Sequence, residues 1–272
     1  MVAKAGPMSR ERGVIMTQLS DVQAFIDRSR KASNPADLHD LMQCISHEMG
    51  FDYFALLHHV DLRPFVPQDG CVLTSEFIAL SNYPQFWVDQ YVSGEVINFD
   101  PVLLACQRTA VGFGWAQLPD LINLTSNHIQ IIEKTREAGI WDGFTVPANI
   151  PGELNGSCNF AVGQSRSVPA ASFAMAQLVG SFAFQAARTL VTRMRGVSAQ
   201  ETVRLTARQL ECIVLVARGK TDWEIGKILG IAEETVKRHI ADARARYDVP
   251  KRMQVVVRAL YDGLVPMSEM LG

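Results

Sequence analysis

The stretch that decides the fold lies in the C-terminal quarter of the chain. Residues 206–247 read TARQLECIVLVARGKTDWEIGKILGIAEETVKRHIADARARY. Thr206 is a typical N-cap, and the apolar residues after it recur at helical spacing until Gly219, which is typical of a helix end. Thr221 and Glu224, three residues later, form a capping-box pattern that starts a second helix. The stretch is therefore a series of short, well-capped amphipathic helices.

The second helix should span residues 222–229, with Ile225, Ile228 and Leu229 inward, and a turn at Gly230 should lead to a third helix over about 233–247. Apolar residues of the third helix share its inner face: Val236, Ile240, Ala243 and Tyr247. A fourth helix starts near Arg252. Helix, glycine turn and helix form a helix-turn-helix, whose recognition helix enters the major groove of DNA.

Basic residues of this stretch are the candidate DNA contacts. Lys237 and Arg238 are the donors best placed for base edges or flanking phosphates, and Ala241 and Arg244 share their face. Residues near helix ends are candidates for phosphate contacts: Lys220, Thr221, Thr235, Arg244 and Lys251. The alternative is a four-helix domain with a solvated charged face.

Charge supports a nucleic-acid partner at this end. Residues 204–272 hold 12 Lys/Arg against 9 Asp/Glu, whereas residues 1–203 hold 14 against 19. The five cysteines are scattered without a CxxC pair, and His58-His59, expected to be an exposed or strand-end pair, has no third ligand at metal spacing. No apolar run reaches the ~20 residues of a membrane span. We therefore expect no metal, no membrane partner and a cytoplasmic protein.

The first 200 residues mix helical and extended patterns. Helices are expected over residues 18–31, 35–49, 84–92, 100–108, 126–138 and 169–194, and strands over 51–60, 72–80, 142–150 and 158–163, with a short extended piece at 112–118. The last helix is apolar over more than one stripe, which fits a core helix or one that also meets a second subunit. We predict an α+β chain. Its N-terminal part is an α-β-α sandwich around an antiparallel sheet, and a small all-α helix-turn-helix domain follows.

Domain boundaries follow from the same patterns. Residues 1–16 are an N-terminal extension, 17–195 the sandwich, 196–203 a linker and 204–272 the helix-turn-helix domain.

A second informative stretch runs from Tyr83 to Trp115. Trp87 and Tyr91 are four residues apart and share a helix face, and Asp100 stands before Pro101. Two aromatic donors and one carboxylate from one short segment can converge on a small polar ligand. Each residue alone is more typical of a core aromatic or a helix cap, so only their joint spacing favours a site.

Both stretches resemble one family. The C-terminal residues resemble the LuxR-type helix-turn-helix at the following positions: Leu205-Thr206, Glu211, Ala217-Arg218-Gly219-Lys220-Thr221, Glu224-Ile225, Leu229-Gly230-Ile231, Thr235-Val236-Lys237 and His239. Departures are Gln209 for the usual Glu, Ile213 for Leu and Ala232 for a capping Ser, the last costing ~1 kcal/mol.

The N-terminal half resembles the acyl-homoserine-lactone receptors of the same quorum-sensing regulators. Their pattern Tyr-x3-Trp-x3-Tyr-x8-Asp-Pro is present from Tyr83 to Pro101, and Trp115 and Gly143 fall at the family's spacing.

The resemblance implies roles. Trp87 would donate to the lactone carbonyl, Tyr83 to the acyl carbonyl, and Asp100 would accept from the amide N–H. Tyr91 and Trp115 would form walls, while Asn159, with Ser157 near it, would face the third carbon of the tail.

The expected function is a transcription regulator that binds an N-acyl homoserine lactone and then, as a homodimer, a dyad-symmetric site in double-stranded DNA. RNA polymerase is a further expected partner, and no cofactor is expected. The alternative is an orphan regulator whose N-terminal domain is a protein-interaction module or binds a different small signal. The acidic pair and the phosphoacceptor Asp that a phosphoreceiver domain needs are absent from this sequence, so that class of domain is excluded. An enzyme acting on lactones lacks a metal cluster and a G-x-S-x-G elbow, so no catalytic residue is assigned.

Overall fold

The structure, a computed structural model, describes residues 19–59, 71–73, 78–93, 96–151, 153–194 and 203–270. The proposed extension 1–16 and nearly all of the proposed linker 196–203 lie outside these residues. The chain divides into two compact units: the first comprises Met1–Asn149 and Asn155–Gly196, and the second comprises Ile150–Leu154 and Val197–Gly272.

A six-stranded antiparallel sheet forms the centre of the first unit. Its strands are β1 (Tyr53–His58), β2 (Cys71–Leu73), β3 (Ile78–Ser81), β4 (Phe113–Gly114), β5 (Asp142–Ala148) and β6 (Gly156–Val162). Their order across the sheet is β2-β3-β1-β6-β5-β4. The central strand β6 is buried at every position, because both faces of the sheet are covered.

Helices cover both faces of the sheet. The first unit contains α1 (Leu19–Lys31), α2 (Pro35–Glu48), α3 (Gln85–Val92), α4 (Pro101–Ala105), α5 (Leu118–Leu121), α6 (Ser126–Glu137) and α7 (Phe173–Met194). Phe160 of β6 belongs to the core shared with α1, α2 and α7, whereas Ala161 packs with Trp87 of α3 and Ile131 of α6. Alternate residues of one strand thus serve two separate apolar layers. The predicted α-β-α sandwich is confirmed.

Helix α7 is the core helix of the first unit. With its preceding turn, Ala170–Met194 is long and apolar enough to cross a membrane by length and composition. Its buried face packs on the sheet, where Gly180 lies so close that an added Cβ would come within 2.9 Å of Val146 Cγ2. Its outer face, apart from the exposed Phe182 and the terminal Met194, carries Ser181, Gln185, Thr189 and Thr192. This favours the core-helix interpretation of its composition.

Several sequence predictions in the first unit were wrong in detail. The single strand predicted over 72–80 is two paired strands, β2 and β3, with Val72 opposite Ala79. The extended piece at 112–118 is only the two-residue β4, followed by a 3₁₀ turn at Trp115–Gln117. For His58-His59 the strand-end alternative is confirmed, because β1 ends at His58; His58 is buried against Phe184 and accepts from the Ile78 N–H.

The second unit contains the predicted helices α8 (Ala207–Ala217), α9 (Asp222–Leu229), α10 (Glu233–Tyr247) and α11 (Arg252–Tyr261), and also α12 (Met267–Met270), which sequence reasoning missed. Thr206 and Thr221 are N-caps, and Gly230 adopts the left-handed conformation. Ala232 supplies no side-chain cap. Gln209, the departure from the usual Glu, still closes the capping box of Thr206 and accepts from Arg246 at 3.0 Å. Ile228 was wrongly placed inward and is exposed.

Candidate functional site

A cavity of about 450 Å³ lies in the first unit, on the sheet face opposite α7. Strands β1, β3 and β6 form its floor, and α3, α4 and α6 its walls. Its lining includes six of the predicted ligand-binding residues: Tyr83, Trp87, Tyr91, Asp100, Trp115 and Asn159. Ser157, the seventh, lies behind this lining. The volume lies in the range of sites for small organic ligands.

Helix α3 and the residue Tyr83 before it bring three aromatic side chains to one wall. Trp87 is 4 % exposed, and its ring meets that of Tyr91 edge-on at 5.6 Å, as the four-residue spacing predicts. Tyr83 precedes the helix, and its ring packs against Tyr53 at 6.0 Å. The Tyr83 hydroxyl is buried and makes no hydrogen bond to any described residue. A buried hydroxyl without a partner is costly, so this wall presents an unused donor.

Asp100 is both a helix cap and a wall residue. Its Oδ1 accepts from the Val102 N–H at 2.8 Å, at the start of α4, where Pro101 holds the first helical position. The side chain is 6 % exposed. Burial raises the pKa of Asp100 to about 6, although the backbone N–H groups of Val102 and Leu103 lower it. A carboxylate beside the cavity would therefore gain from a further hydrogen-bond donor.

Trp115 is fixed by a hydrogen-bonded chain along the sheet. Its Nε1–H donates to Thr145 Oγ1 at 2.9 Å, and the Thr145 hydroxyl donates to Asn159 Oδ1 at 2.7 Å. The Asn159 amide in turn donates to Ser157 Oγ at 3.0 Å and to the Ala55 carbonyl. The indole N–H of Trp115 is thus occupied inside the protein. Trp115 therefore forms a wall, whereas the buried Tyr83 hydroxyl has no partner among the described residues.

The series of hydrogen bonds that starts at Trp115 ends at His59. His59 Nε2 lies 3.0 Å from Ser157 Oγ. Burial, with a smaller contribution from His58, lowers the pKa of His59 to about 4, so the ring is neutral at pH 7. Ser157 Oγ therefore has two protein partners, Asn159 and His59, and Ser157 acts on the cavity through Asn159.

Sequence reasoning missed Thr145. It links Trp115 to Asn159, yet only Gly143, two residues earlier, was singled out. The period of two along a strand puts residues 143 and 145 on the same face, so the signal was present. Thr135, Arg136 and Trp141 of the lining were also missed, and no spacing within α6 distinguishes them. Among the described residues, no group of three or more His, Cys, Asp or Glu is arranged to hold a metal.

The second unit presents a basic surface on α10. Thr235, Lys237, Arg238 and Ala241 are all exposed. Lys237 Nζ lies 3.0 Å from Glu233 and 3.6 Å from Glu234, and these hydrogen bonds and charges raise the pKa of Lys237. The charge of Lys237 is thus partly neutralised by two carboxylates of its own helix. Arg238 takes part in none of the ion pairs found among the described residues.

The remaining predicted contacts lie at helix ends. Lys220 and Lys251 are exposed, and Thr221 is occupied by its capping box with Glu224. Arg244 is half-buried, and its Nε donates to the Val249 carbonyl at 3.4 Å, so it stabilises the end of α10. The Arg252–Asp222 ion pair, at 3.2 Å, ties α11 to α9.

An α+β unit with a small-molecule cavity, followed by a helix-turn-helix, defines a ligand-responsive DNA-binding regulator. Comparison with known families agrees: residues 34–190 match the autoinducer binding domain, and residues 203–259 match the bacterial regulatory proteins of the luxR family. The chain belongs to the luxR family and carries its autoinducer binding domain.

Individual relatives support this assignment. The quorum sensing-dependent transcriptional regulator RpaR of Rhodopseudomonas palustris is 31 % identical over 193 residues, which cover 70 % of this chain and 76 % of RpaR. The transcriptional activator VanR of Vibrio anguillarum is 25 % identical over 244 residues, covering 89 % of this chain and 96 % of VanR. The protein is accordingly a quorum-sensing transcription regulator of this family.

A solved structure has the same fold. Escherichia coli SdiA matches with a TM-score of 0.61 and 22 % identity, over 91 % of this chain and 98 % of that chain. A second SdiA structure, in complex with octanoyl-rac-glycerol, matches with a TM-score of 0.60 at 22 % identity, over 90 % of this chain and 95 % of that chain. At this identity the similarity concerns the fold.

Proposed function

We propose that the cavity binds an N-acyl homoserine lactone and that the bound protein recognises a dyad-symmetric DNA site as a homodimer. The observation that carries the ligand proposal is the buried Tyr83 hydroxyl, which has no partner in the part of the chain that the structure describes and lines one cavity with the buried carboxylate of Asp100. A neutral ligand with two carbonyl acceptors and one amide donor would complement both groups.

Each polar group then has one role. Trp87 donates to the lactone carbonyl, Tyr83 donates to the acyl carbonyl, and Asp100 accepts from the amide N–H. Tyr91 and Trp115 wall the ring, and Asn159, held by Ser157, faces the acyl tail. The occupied N–H of Trp115 supports its role as a wall, and the unused hydroxyl of Tyr83 supports its role as a donor.

Thermal melting with a panel of N-acyl homoserine lactones of different tail lengths tests the ligand. A hundredfold excess over Kd stabilises the folded protein by ~2.7 kcal/mol. The panel should include octanoyl-rac-glycerol, the compound in the SdiA complex, because it has an acyl tail without an amide. A rise in Tm with octanoyl-rac-glycerol alone would favour the alternative in which the N-terminal domain binds a different small signal. No shift with any compound would contradict small-molecule binding and favour an interaction module.

Dimer formation has support in the second unit. Met253, Val257 and Tyr261 of α11 are four residues apart and all exposed, so they form one apolar stripe. Two copies that bury this stripe would present two α10 helices to DNA, with half-sites about one helical turn apart. Sedimentation equilibrium of Val257→Asp against the parent tests this: the charge should weaken self-association, and equal association would contradict the contact.

On DNA, Lys237, Arg238 and Ala241 would face the major groove, and Lys220, Thr221, Thr235, Arg244 and Lys251 would lie near phosphates.

The proposed domain limits are 17–195 for ligand binding and dimerisation, 196–203 for the linker and 204–272 for DNA binding. We further propose a cytoplasmic protein that contacts RNA polymerase at promoters, because relatives such as VanR are named transcriptional activators.

A further inference from the structure

The cavity meets solvent at a defined rim. Among the described residues that line it, five are exposed: Ala116, Pro119, Arg136, Trp141 and Ser167. The other described lining residues, including Tyr83, Trp87 and Asp100, are buried or half-buried. The five exposed residues come from three separate segments of the chain, so their positions in the fold decide whether they form one opening.

The sheet register brings these segments together. Gly114 pairs with Phe144, and the Trp115 ring then lies against Gly143, which puts Ala116 beside the start of β5. Pro119 follows one helical turn later. On the other side, the Val168 N–H donates to Asp142 Oδ2 at 3.1 Å, which brings Ser167 to the same end of β5. The exposed lining residues therefore surround the beginning of β5 and form one rim.

Trp141 stands at the centre of this rim. Its backbone N–H donates to the Val162 carbonyl at 2.8 Å, so its position is fixed relative to the sheet. Its side chain is 40 % exposed, yet it also lines the cavity. The Arg136 guanidinium, from the last turn of α6, lies over the indole with its Cζ 5.2 Å from the ring centroid. The Trp141 indole is thus a wall between cavity and solvent, held from outside by a cation–π contact.

From this geometry we infer that ligands enter and leave the cavity through the rim and that the Trp141–Arg136 pair is its gate. The inference rests on the proposed function, namely that the cavity holds a small acyl ligand. A cation–π pair at an exposed site is weak and an exposed side chain changes rotamer rapidly, so this wall opens more easily than the packed walls. The gate controls rates of exchange, whereas the buried polar groups control affinity.

A ligand-free experiment tests the gate alone. In a Trp223→Phe background, the variants Trp141→Phe and Trp141→Ala both leave Trp87 and Trp115, which line the cavity, as the only tryptophans. Acrylamide quenching of their fluorescence reports solute entry. The alanine variant should be quenched more strongly than the phenylalanine variant. Equal quenching constants would overturn the gate whether or not any lactone binds.

Ligand exchange supplies the second measurement. The lactone that raises the Tm most is loaded in isotopically labelled form, and its release is followed after excess unlabelled lactone is added. Trp141→Ala and Arg136→Gln should each speed release by at least about threefold, the factor expected from one exposed cation–π pair. Association should accelerate as well, because the ligand enters and leaves by the same opening.

Ile129→Ala is the matched control, because Ile129 is exposed on α6 and is not among the cavity-lining residues. Its exchange rates should equal those of the parent. Unchanged release in the Trp141 and Arg136 variants, or a loss of affinity without faster association, would overturn the gate. A panel without any binding compound would contradict the proposed function instead, and the quenching result would still decide the gate.

Discussion

The indole of Trp115 lies directly against the Cα of Gly143: a Cβ added to Gly143 would come within 2.5 Å of Trp115 Cε2. Any larger residue at position 143 must displace the ring, which also breaks the Trp115–Thr145 hydrogen bond. Gly143→Ala should therefore destabilise the protein by ~1–3 kcal/mol, the usual range for overpacking, and weaken the response to ligand. Urea unfolding and ligand-dependent melting measure the two effects.

A double-mutant cycle supplies the control. Trp115→Phe removes part of the ring and should make room for the added methyl. The loss in free energy of unfolding in the double variant should therefore be smaller than the sum of the losses in the two single variants. Strict additivity would show that the clash is relieved by movement elsewhere.

Tyr83→Phe separates the ligand donor from the fold. The hydroxyl it removes has no partner among the described residues, so the stability of the ligand-free protein should stay equal or rise. Lactone affinity should fall by about 1 kcal/mol, roughly fivefold, because one hydrogen bond is removed. Titration calorimetry measures the change.

Tyr53→Phe is the matched control for this variant. Tyr53 packs edge-on against Tyr83 and is not among the residues that line the cavity. Its affinity for the lactone should equal that of the parent. If Tyr83→Phe and Tyr53→Phe bound the lactone with equal affinity, Tyr83 would not be a hydrogen-bond donor to the ligand.

Much of this arrangement was accessible from the sequence, and the exceptions have physical reasons. The caps of α8 and α9 and the Tyr83–Asp100 spacing depend on local geometry, which the chain specifies over a few residues. The role of Thr145 and the burial of His58 depend instead on strand register, which long-range pairing sets. Register also explains the error over 72–80, because the local sequence pattern does not reveal that Val72 pairs with Ala79.

Asp100 should make ligand binding depend on pH. Its pKa in the folded protein is about 6, above the ordinary value of 3.8, because the carboxyl is buried. The folded state therefore binds its proton more tightly than the unfolded state, and the Asp100 contribution to stability falls as pH rises from about 4 to 6, by about 3 kcal/mol in full. Since the ligand amide needs the ionised form, lactone affinity should fall as pH drops below about 6.

Asp100→Asn isolates this effect. His59, with a pKa lowered to about 4, contributes the opposite slope in the same interval, since it must gain a proton when the protein unfolds. The difference between parent and variant in Tm against pH therefore removes the His59 contribution. The variant should bind lactone weakly and without pH dependence between 5 and 7. A parent affinity that is constant over this range would contradict an ionised Asp100 as acceptor.

Arg238 and Lys237 should contribute unequally to DNA binding, because Glu233 and Glu234 hold Lys237 in ion pairs that DNA must replace. Arg238→Ala should weaken binding more than Lys237→Ala, and Glu233→Gln should strengthen it by releasing Lys237 from one ion pair. Fluorescence anisotropy over a salt series measures this, because the slope of log affinity against log salt concentration falls by about one unit for each phosphate that the variant no longer neutralises.

Lys227→Ala, on α9 over the Trp223 ring, is the control and should leave affinity and slope unchanged. Equal reductions in affinity at positions 227, 237 and 238 would mean that binding reflects net charge alone, without α10 in the groove.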